Sequence, residues 1–237
     1  MNLLLFSARD RVDDSRIRVT DRRLQHLLKV HKAQTGDSVR VGEINGLMGN
    51  AIILQLDEQS ATLALNLDTP PPEKLPVTLV LALPRPKMLR RILRAVAEFG
   101  VADLHLIHSY RVEKSYWQTP VLQTETDTVR DYLLQGLEQS RDTVLPTVTS
   151  HRRFKPFVQD SLPALIGAAP ALLAHPGPYP PCPHTITGQT LLVIGPEGGF
   201  IPYEVDLLQE AGCQTVSLGP RILRVENAVS SLLGRWQ

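Results

Sequence analysis

The sequence predicts an α/β protein with a parallel sheet, preceded by a small β-rich domain, and three observations support this. Residues 69–76 include three consecutive prolines, which remove amide donors and favour extended backbone. Before this break, apolar residues alternate with polar ones, as in half-buried strands. After it, short apolar runs without alternation are separated by helical patterns, as in a sheet covered on both faces. We therefore expect domains at 1–70 and 76–237.

The first domain is predicted to be a small β-barrel-like fold with one helix. Alternation marks strands at 38–42 and 62–67, and Gly36-Asp37 and Asn45-Gly46 are turn signals. A helix is predicted over 21–31, with Asp21 as its N-cap.

The second domain is predicted to alternate strands with helices. Its predicted strands are Val77–Leu83, Leu104–Ile107, Ala171–Ala174, Thr190–Ile194 and Thr215–Leu218. Its predicted helices are Lys87–Phe99, Val121–Gln139, Pro202–Ala211 and Leu223–Leu233.

Composition excludes several classes of protein. The 237 residues are 43% hydrophobic and 21% charged, as in soluble globular proteins. The net charge of +1 gives no global basic field, so any contact with RNA must use local charge. Two cysteines and seven scattered histidines suggest neither a disulfide framework nor a metal site. With no secretory signal and no apolar run of about 18 residues, we expect a cytoplasmic protein.

The strongest motif is a glycine-rich loop, 195–199, between an apolar strand and a helix beginning near Pro202. Ligands of open α/β sheets bind at the carboxyl ends of strands, and glycines let backbone approach them closely. The loop matches neither the dinucleotide nor the phosphate-loop fingerprint, which disfavours nicotinamide cofactors and ATP. The alternative is a tight turn without a ligand.

A second strand, turn and helix pattern follows at 216–228, with a Gly219-Pro220 turn. Two such loops can line one pocket, with Arg221, Arg224 and Glu226 at its lip. The alternative is that Arg224 and Glu226 form a surface ion pair and that Arg221 is a solvated turn residue.

A local basic stripe lies on the helix predicted over 87–99. Residues 81–100 hold five basic side chains against one acidic one, a net charge of +4. Such a stripe suits contacts to RNA phosphates, although a solvated helix face has the same pattern. In the first domain, aspartates offset much of the basic charge.

Together these residues resemble the RsmE-type 16S ribosomal RNA uridine-N3 methyltransferases, which belong to the SPOUT class of knotted methyltransferases. The matching motifs are Ile194–Phe200, Glu204, and Ser217–Arg224 followed by Glu226. Weaker matches are Lys87–Gly100, Glu138–Ser140, Leu173–Pro176 and the first domain's His26, Lys29, Val30, Gly36 and Asp37.

The resemblance implies a trefoil knot within about 170–237, a PUA-like RNA-binding barrel at 1–70 and a homodimer that acts on 16S ribosomal RNA or the small ribosomal subunit. It implies S-adenosylmethionine held by three loops, through Ala174, His175, Ile194, Gly195, Glu197, Gly198, Gly199, Leu218, Gly219, Ile222 and Leu223. The predicted RNA-binding residues are Arg85, Lys87, Arg90, Arg91, Arg94 and Arg221.

For N3 methylation, the uracil must lose its N3 proton and be aligned with the methyl group. We expect Arg224 to stabilise negative charge on the uracil edge, and Glu226 to orient that arginine or accept a proton. The chain departs from the family pattern at Val225, at Asn227 and within 141–146. Two alternatives therefore stay open: a methyltransferase of this fold with another RNA target, and an RNA-binding or ribosome-assembly protein without transfer activity. The retained glycines argue against the second.

Overall fold

The computed structural model describes residues 2–123 and 127–236, and the chain divides into two compact units. The first unit comprises Met1–Glu73 with Leu134–Leu145, and the second comprises Lys74–Leu133 with Pro146–Gln237. The segment 134–145 was expected in the second domain but belongs to the first. Its backbone explains the difference, because the Glu138 carbonyl accepts hydrogen bonds from the N–H groups of Asn2 and Leu3.

The first unit is built on a curled six-stranded sheet with strand order β1-β4-β5-β6-β3-β2. β1 runs parallel to β4, and the other pairs are antiparallel. Inward side chains such as Phe6, Ile17 and Leu63 form its core. The strands are β1 (Leu4–Phe6), β2 (Arg11–Asp13), β3 (Arg16–Val19), β4 (Ser38–Glu43), β5 (Met48–Leu56) and β6 (Ala61–Thr69).

The helix predicted over 21–31 is confirmed as α1 (Arg22–His26), continued by a π-helical turn (Leu27–His31). The Asp21 carboxylate accepts a hydrogen bond from the Arg23 N–H, as predicted for an N-cap. The strands predicted at 38–42 and 62–67 are confirmed as parts of β4 and β6.

The second unit is built on a six-stranded, wholly parallel sheet with order β12-β10-β11-β7-β8-β9, which confirms the predicted parallel α/β fold. Its central strands are buried on both faces, which explains their continuous apolar runs. The strands are β7 (Leu75–Ala82), β8 (Val101–Ile107), β9 (Thr147–His151), β10 (Ala171–Ala174), β11 (Thr190–Ile194) and β12 (Gln214–Val216).

The remaining helices are α2 (Pro86–Glu98), α3 (Thr128–Ser140), α4 (Phe154–Pro156), α5 (Leu162–Ile166), α6 (Pro202–Glu210) and α7 (Val225–Leu233). A π-helical turn (Phe157–Ser161) joins α4 to α5. Residues 134–140 of α3 belong to the first unit. Within the described ranges, no helix combines the length and apolarity needed to cross a membrane.

The helix predicted over 121–139 is partly wrong. Pro120–Leu122 forms a 3₁₀ turn, residues 124–126 lie outside the described residues, and α3 begins only at Thr128. The sequence analysis also missed β9, because its Thr-Val-Thr-Ser-His sequence is short and polar. The predicted strand 215–218 ends at Val216, and the last helix begins at Val225, two residues later than predicted.

Candidate functional site

The parallel sheet of the second unit brings three sequence-distant loops together at one edge. β10 pairs with both β11 and β12, and its last residue, Ala174, lies opposite Ile194 on one side and Val216 on the other. Because neighbouring parallel strands end at the same edge, the loops that follow them gather there. They surround an open cleft.

The cleft collects ten of the eleven residues predicted to bind the cofactor, all except Gly198. It also collects Arg221, which was predicted to bind RNA. The other lining residues are Pro176, Pro196, Ser217, Val225 and Ala228. The family resemblance therefore predicted most of the residues that the fold brings together at this edge.

Gly198 lies outside the cleft lining because Arg111 packs against it. A Cβ on Gly198 would stand 2.9 Å from Arg111 Cδ, and the Arg111 guanidinium donates a hydrogen bond to the Gly198 carbonyl. Arg111 follows β8 and was missed by sequence reasoning, because no motif surrounds it. Its contact ties the loop after β8 to the glycine-rich loop.

Two glycines of the loop meet separate constraints. A Cβ on Gly195 would come within 3.1 Å of the Phe200 ring. Gly199 has φ +71, a left-handed conformation that favours glycine, and a Cβ there would lie 3.5 Å from His175 Cε1. A side chain at Gly195 would therefore crowd Phe200, and one at Gly199 would strain the backbone, so both positions favour glycine.

His175 contributes a polar group to a largely apolar cleft. Its Nδ1 is buried and has no hydrogen-bond partner among the described residues. Burial lowers the pKa of His175 below the ordinary histidine value, and the Arg111 guanidinium lowers it further. The imidazole is therefore neutral near pH 7, and its Nδ1 lacks a hydrogen bond. A buried polar atom without a partner is expected where a polar ligand binds.

Two carboxylates fix the loops around the cleft. Glu197 Oε1 accepts a hydrogen bond of 3.0 Å from the N–H of Arg85, so a negative charge stands at the N-terminus of α2. Glu204 is buried, and its two oxygens accept from the N–H groups of Tyr110 and Ile201 at 2.7 and 3.1 Å. Glu204 thus joins the loop after β8 to the start of α6.

Neither candidate catalytic residue lines the cleft itself. Arg224 is exposed at the N-cap of α7, directly before the lining residue Val225. Glu226 lies in the first turn of the helix, with Oε1 3.9 Å from Arg91 Nη1, and its buried Oε2 has no hydrogen-bond partner among the described residues. Within the described part of the chain, the alternative ion pair between Arg224 and Glu226 is absent, and Arg91 approaches Glu226 instead.

The predicted basic stripe on α2 contains both exposed and half-buried side chains. Lys87, Arg90 and Arg91 are exposed, whereas Arg94 is half-buried with its guanidinium 5.0 Å from the centre of the Tyr132 ring. Arg85 is the N-cap residue of the helix, and its backbone is held by Glu197. Only part of the predicted stripe is therefore free for phosphate contacts.

A row of hydrogen-bonded side chains crosses β8 and β9. His105 lies between Asp103 and His151, with ring contacts of 2.9 and 3.0 Å. Burial lowers the pKa of His151, and the neighbouring His105 adds to the effect.

Among the described residues, no group of three or more His, Cys, Asp or Glu side chains could hold a metal ion. Cys182 and Cys213 are free and buried.

The geometry defines a class of protein: a parallel α/β domain with a single-chain cleft built from three strand-end loops, one of them rich in glycine. Residues 71–237 match the RNA methyltransferase domain family. The ribosomal RNA small subunit methyltransferase E of Treponema pallidum is 30% identical over 239 residues, covering 96% of this chain and 87% of that protein. The chain belongs to this family of RsmE-type ribosomal RNA methyltransferases.

Further relatives agree with the assignment. The protein of the same name from Synechocystis is 27% identical, covering 98% of this chain and 76% of that protein. Two crystal structures share the fold over 98% of this chain and 95% of theirs, each with a TM-score of 0.75. They are a probable rRNA-methyltransferase from Porphyromonas gingivalis at 24% identity and, at 19%, a ribosomal RNA small subunit methyltransferase E from Neisseria gonorrhoeae bound to S-adenosyl methionine.

Proposed function

We propose that this protein transfers a methyl group from S-adenosylmethionine to N3 of a uridine in 16S ribosomal RNA, in the bacterial cytoplasm. The observation that carries the proposal is the cleft of the second unit, whose lining contains nearly all the residues that the family resemblance assigns to the cofactor. The names of its relatives and the S-adenosyl methionine bound to the gonococcal protein support the same activity.

The cleft residues fit S-adenosylmethionine in shape and chemistry. The bare backbone at Gly195 and Gly199 leaves room for a ligand, and Ile194, Leu218 and Leu223 provide apolar walls for a planar base. The unpartnered Nδ1 of His175 offers a hydrogen bond to a polar group of the ligand. When bound, this cofactor supplies an electrophilic methyl group on a sulfonium centre.

The chain's own residues must favour loss of the uracil N3 proton. We assign Arg224 to stabilise the resulting negative charge, since its exposed guanidinium follows directly on the cleft loop that contains Arg221. Glu226 Oε2 has no partner among the described residues, which fits a proton acceptor better than a partner for Arg224. The target base must be unpaired or flipped out, because pairing hides its N3 edge.

The RNA is proposed to run past α2. Lys87 and Arg90 are exposed there and make no ion pair within the described residues, so both can meet phosphates. In this proposal Arg91 and Arg94 are held by Glu226 and Tyr132, and they support the surface more than they contact RNA. The first unit, whose curled sheet surrounds its own core, is proposed to be the PUA-like RNA-binding barrel.

A trefoil knot is proposed for the C-terminal part of the second unit. The segment between β10 and β11 hydrogen-bonds to later chain at two places: Cys182 and Pro180 with Ser217, and Ile186 with Arg235. Such pairing is expected where later chain passes through an earlier loop. A crystal structure whose backbone reduces to an unknotted line when both ends are pulled would contradict this.

Homodimerisation is proposed because apolar side chains remain exposed beside the cleft. Ile222 is 77% exposed, Tyr203 53% and Leu223 39%. A second copy of the chain that covers them would also complete the wall of the cleft. Static light scattering should give twice the chain mass at micromolar concentration, and a monomer mass would overturn the proposal.

The activity is tested by incubating the purified protein with S-adenosylmethionine and small ribosomal subunits, followed by nucleoside mass spectrometry of the RNA. We expect 3-methyluridine. Another methylated nucleoside would favour the second candidate, a different RNA target, which the position of Val225 in the cleft lining supports. No transfer would favour a protein that only binds RNA.

Arg224→Ala tests the assigned role directly. We expect kcat to fall about 100-fold, since the charge acts on the developing anion, while cofactor affinity stays unchanged. Because Arg224 is exposed and its side chain caps nothing, the fold should be unaffected. Arg224→Lys should restore part of the activity, and Arg130→Ala, at an exposed arginine on α3, is the matched control. A near wild-type rate for Arg224→Ala would reject the assignment.

A further inference from the structure

Two arginines of the first unit share a pair of adjoining clefts. Arg40 lies on β4 and Arg141 follows the end of α3, and both line a cleft that Ser38 and His31 also line. The same two arginines line a second cleft together with Asn50. We call this surface the Arg40–Arg141 site.

Several acidic groups of the first unit form ion pairs away from the Arg40–Arg141 site. Glu43 pairs with Arg11 at 2.7 Å, Glu138 with Arg22 at 2.8 Å, and Asp10 with Arg23 at 2.6 Å. No carboxylate lines either cleft, and within the described ranges neither Arg40 nor Arg141 forms an ion pair. Two arginines therefore line a common space that no carboxylate lines.

The backbone conformation at Arg141 favours glycine, so the fold does not require an arginine at this position. Arg141 has φ +60, in the left-handed region that favours glycine. The Asp142 N–H donates to the Leu137 carbonyl across it at 3.1 Å, the bond that closes a Schellman helix stop. A glycine would fill this position with less strain, so the arginine side chain must have another use or be neutral.

We propose that the Arg40–Arg141 site binds phosphate groups of the RNA backbone. Guanidinium forks match the non-bridging oxygens of a phosphodiester, and the Ser38 hydroxyl and Asn50 amide add neutral donors on either side. The inference rests on the proposed function, which supplies RNA as the substrate. It adds a second anchor for that RNA, one that positions the strand without reading its sequence.

The test measures RNA affinity without turnover. Fluorescence anisotropy with a labelled 16S ribosomal RNA transcript is recorded over a salt series for the full-length protein, Arg40→Ala, Arg141→Gly and Arg141→Lys. We expect Arg40→Ala and Arg141→Gly each to weaken binding about 5- to 10-fold and to reduce the salt slope by about 0.7 to 0.9. Arg141→Lys should retain most of the affinity.

The Arg141→Gly variant separates binding from a structural role. An arginine kept only to stabilise the C-terminus of α3 would make the variant melt at a lower temperature. The proposal predicts weaker RNA binding with a melting temperature that is equal or up to about 3 °C higher. Arg9→Ala removes the same charge from an exposed position outside both clefts and should change affinity less than 2-fold.

Unchanged RNA affinity and salt slope in both Arg40→Ala and Arg141→Gly would overturn the proposal. An equal loss of affinity in Arg9→Ala would also overturn it, because the loss would then reflect only the net charge of the protein. The result is independent of the proposed activity, because the assay needs neither cofactor nor methyl transfer. If wild-type protein binds the transcript but transfers no methyl group, the proposed function fails and this site is still tested.

Discussion

The two units each contain six strands but distribute their functional groups differently. In the parallel sheet of the second unit, three loops separated by 20 or more residues in sequence end at one edge and form one cleft. In the first unit, whose sheet is mainly antiparallel, charged residues are spread along the chain, and several of them form ion pairs with one another. The parallel topology brings sequence motifs together at one site. In the first unit, by contrast, only the charged residues without ion-pair partners are available to bind a ligand.

The first way to test this contrast is to remove one residue of a largely buried ion pair in the first unit. Arg23 is 12% exposed and donates to Asp10, Asp21 and the Leu5 carbonyl. Burial alone would raise the pKa of Asp10, but hydrogen bonds from Arg23 and the Ser7 backbone keep it below its usual value. Arg23→Ala leaves this carboxylate without its counter-charge and should lower the free energy of unfolding by about 2–3 kcal/mol.

Arg16→Ala is the matched control, because its ion pair with Asp13 is exposed and should contribute little. Both tryptophans, Trp117 and Trp236, belong to the second unit. Urea unfolding followed by far-ultraviolet circular dichroism and by tryptophan fluorescence therefore distinguishes the units. Equal effects of Arg23→Ala and Arg16→Ala would contradict the account.

The second test compares glycines of the same backbone geometry in the two units. Gly199 has φ +71 beside His175, and Gly36 has φ +96 with no atom within 4 Å of the place where an added Cβ would stand. Gly199→Ala should weaken S-adenosylmethionine binding about 10-fold, because the backbone strain falls on a loop that lines the cleft. Gly36→Ala introduces backbone strain away from the cleft and should leave the dissociation constant for S-adenosylmethionine unchanged. Isothermal titration calorimetry measures both, and equal losses would refute the site-specific explanation.

The smallest expected effect concerns His175. The folded state holds this imidazole neutral, whereas the unfolded chain accepts a proton near pH 6.5. The unfolded state then binds more protons, so the free energy of unfolding falls as the pH drops below about 6.5 and is fully retained above it. One histidine accounts for at most about 1.4 kcal/mol per pH unit.

His175→Gln should make this decline shallower between about pH 7 and pH 5.5, and the exposed His184→Gln should not. The measurement is urea unfolding at each pH. An unchanged slope in His175→Gln would show that another half-buried histidine with a lowered pKa, such as His108 or His151, is responsible.

The sequence predicted the parallel sheet and the cleft well, because Gly195, Gly199 and Gly219 lie in loops that directly follow buried strands. It did not predict Arg111 or the pairing of Glu226 with Arg91, since both contacts join distant segments and have no local pattern. The sequence also did not predict that 134–145 belongs to the first unit, because this depends on backbone hydrogen bonds from Asn2 and Leu3, just before β1, to Glu138 of α3. The free charge of Arg40 and Arg141 appears only once the partners of the other arginines are known.

The most direct test of the central claim is nucleoside mass spectrometry of 16S ribosomal RNA from host cells with and without the gene. The account predicts that 3-methyluridine disappears when the gene is deleted and returns with the wild-type gene, but not with Arg224→Ala. Undiminished 3-methyluridine in the deletion strain would contradict it.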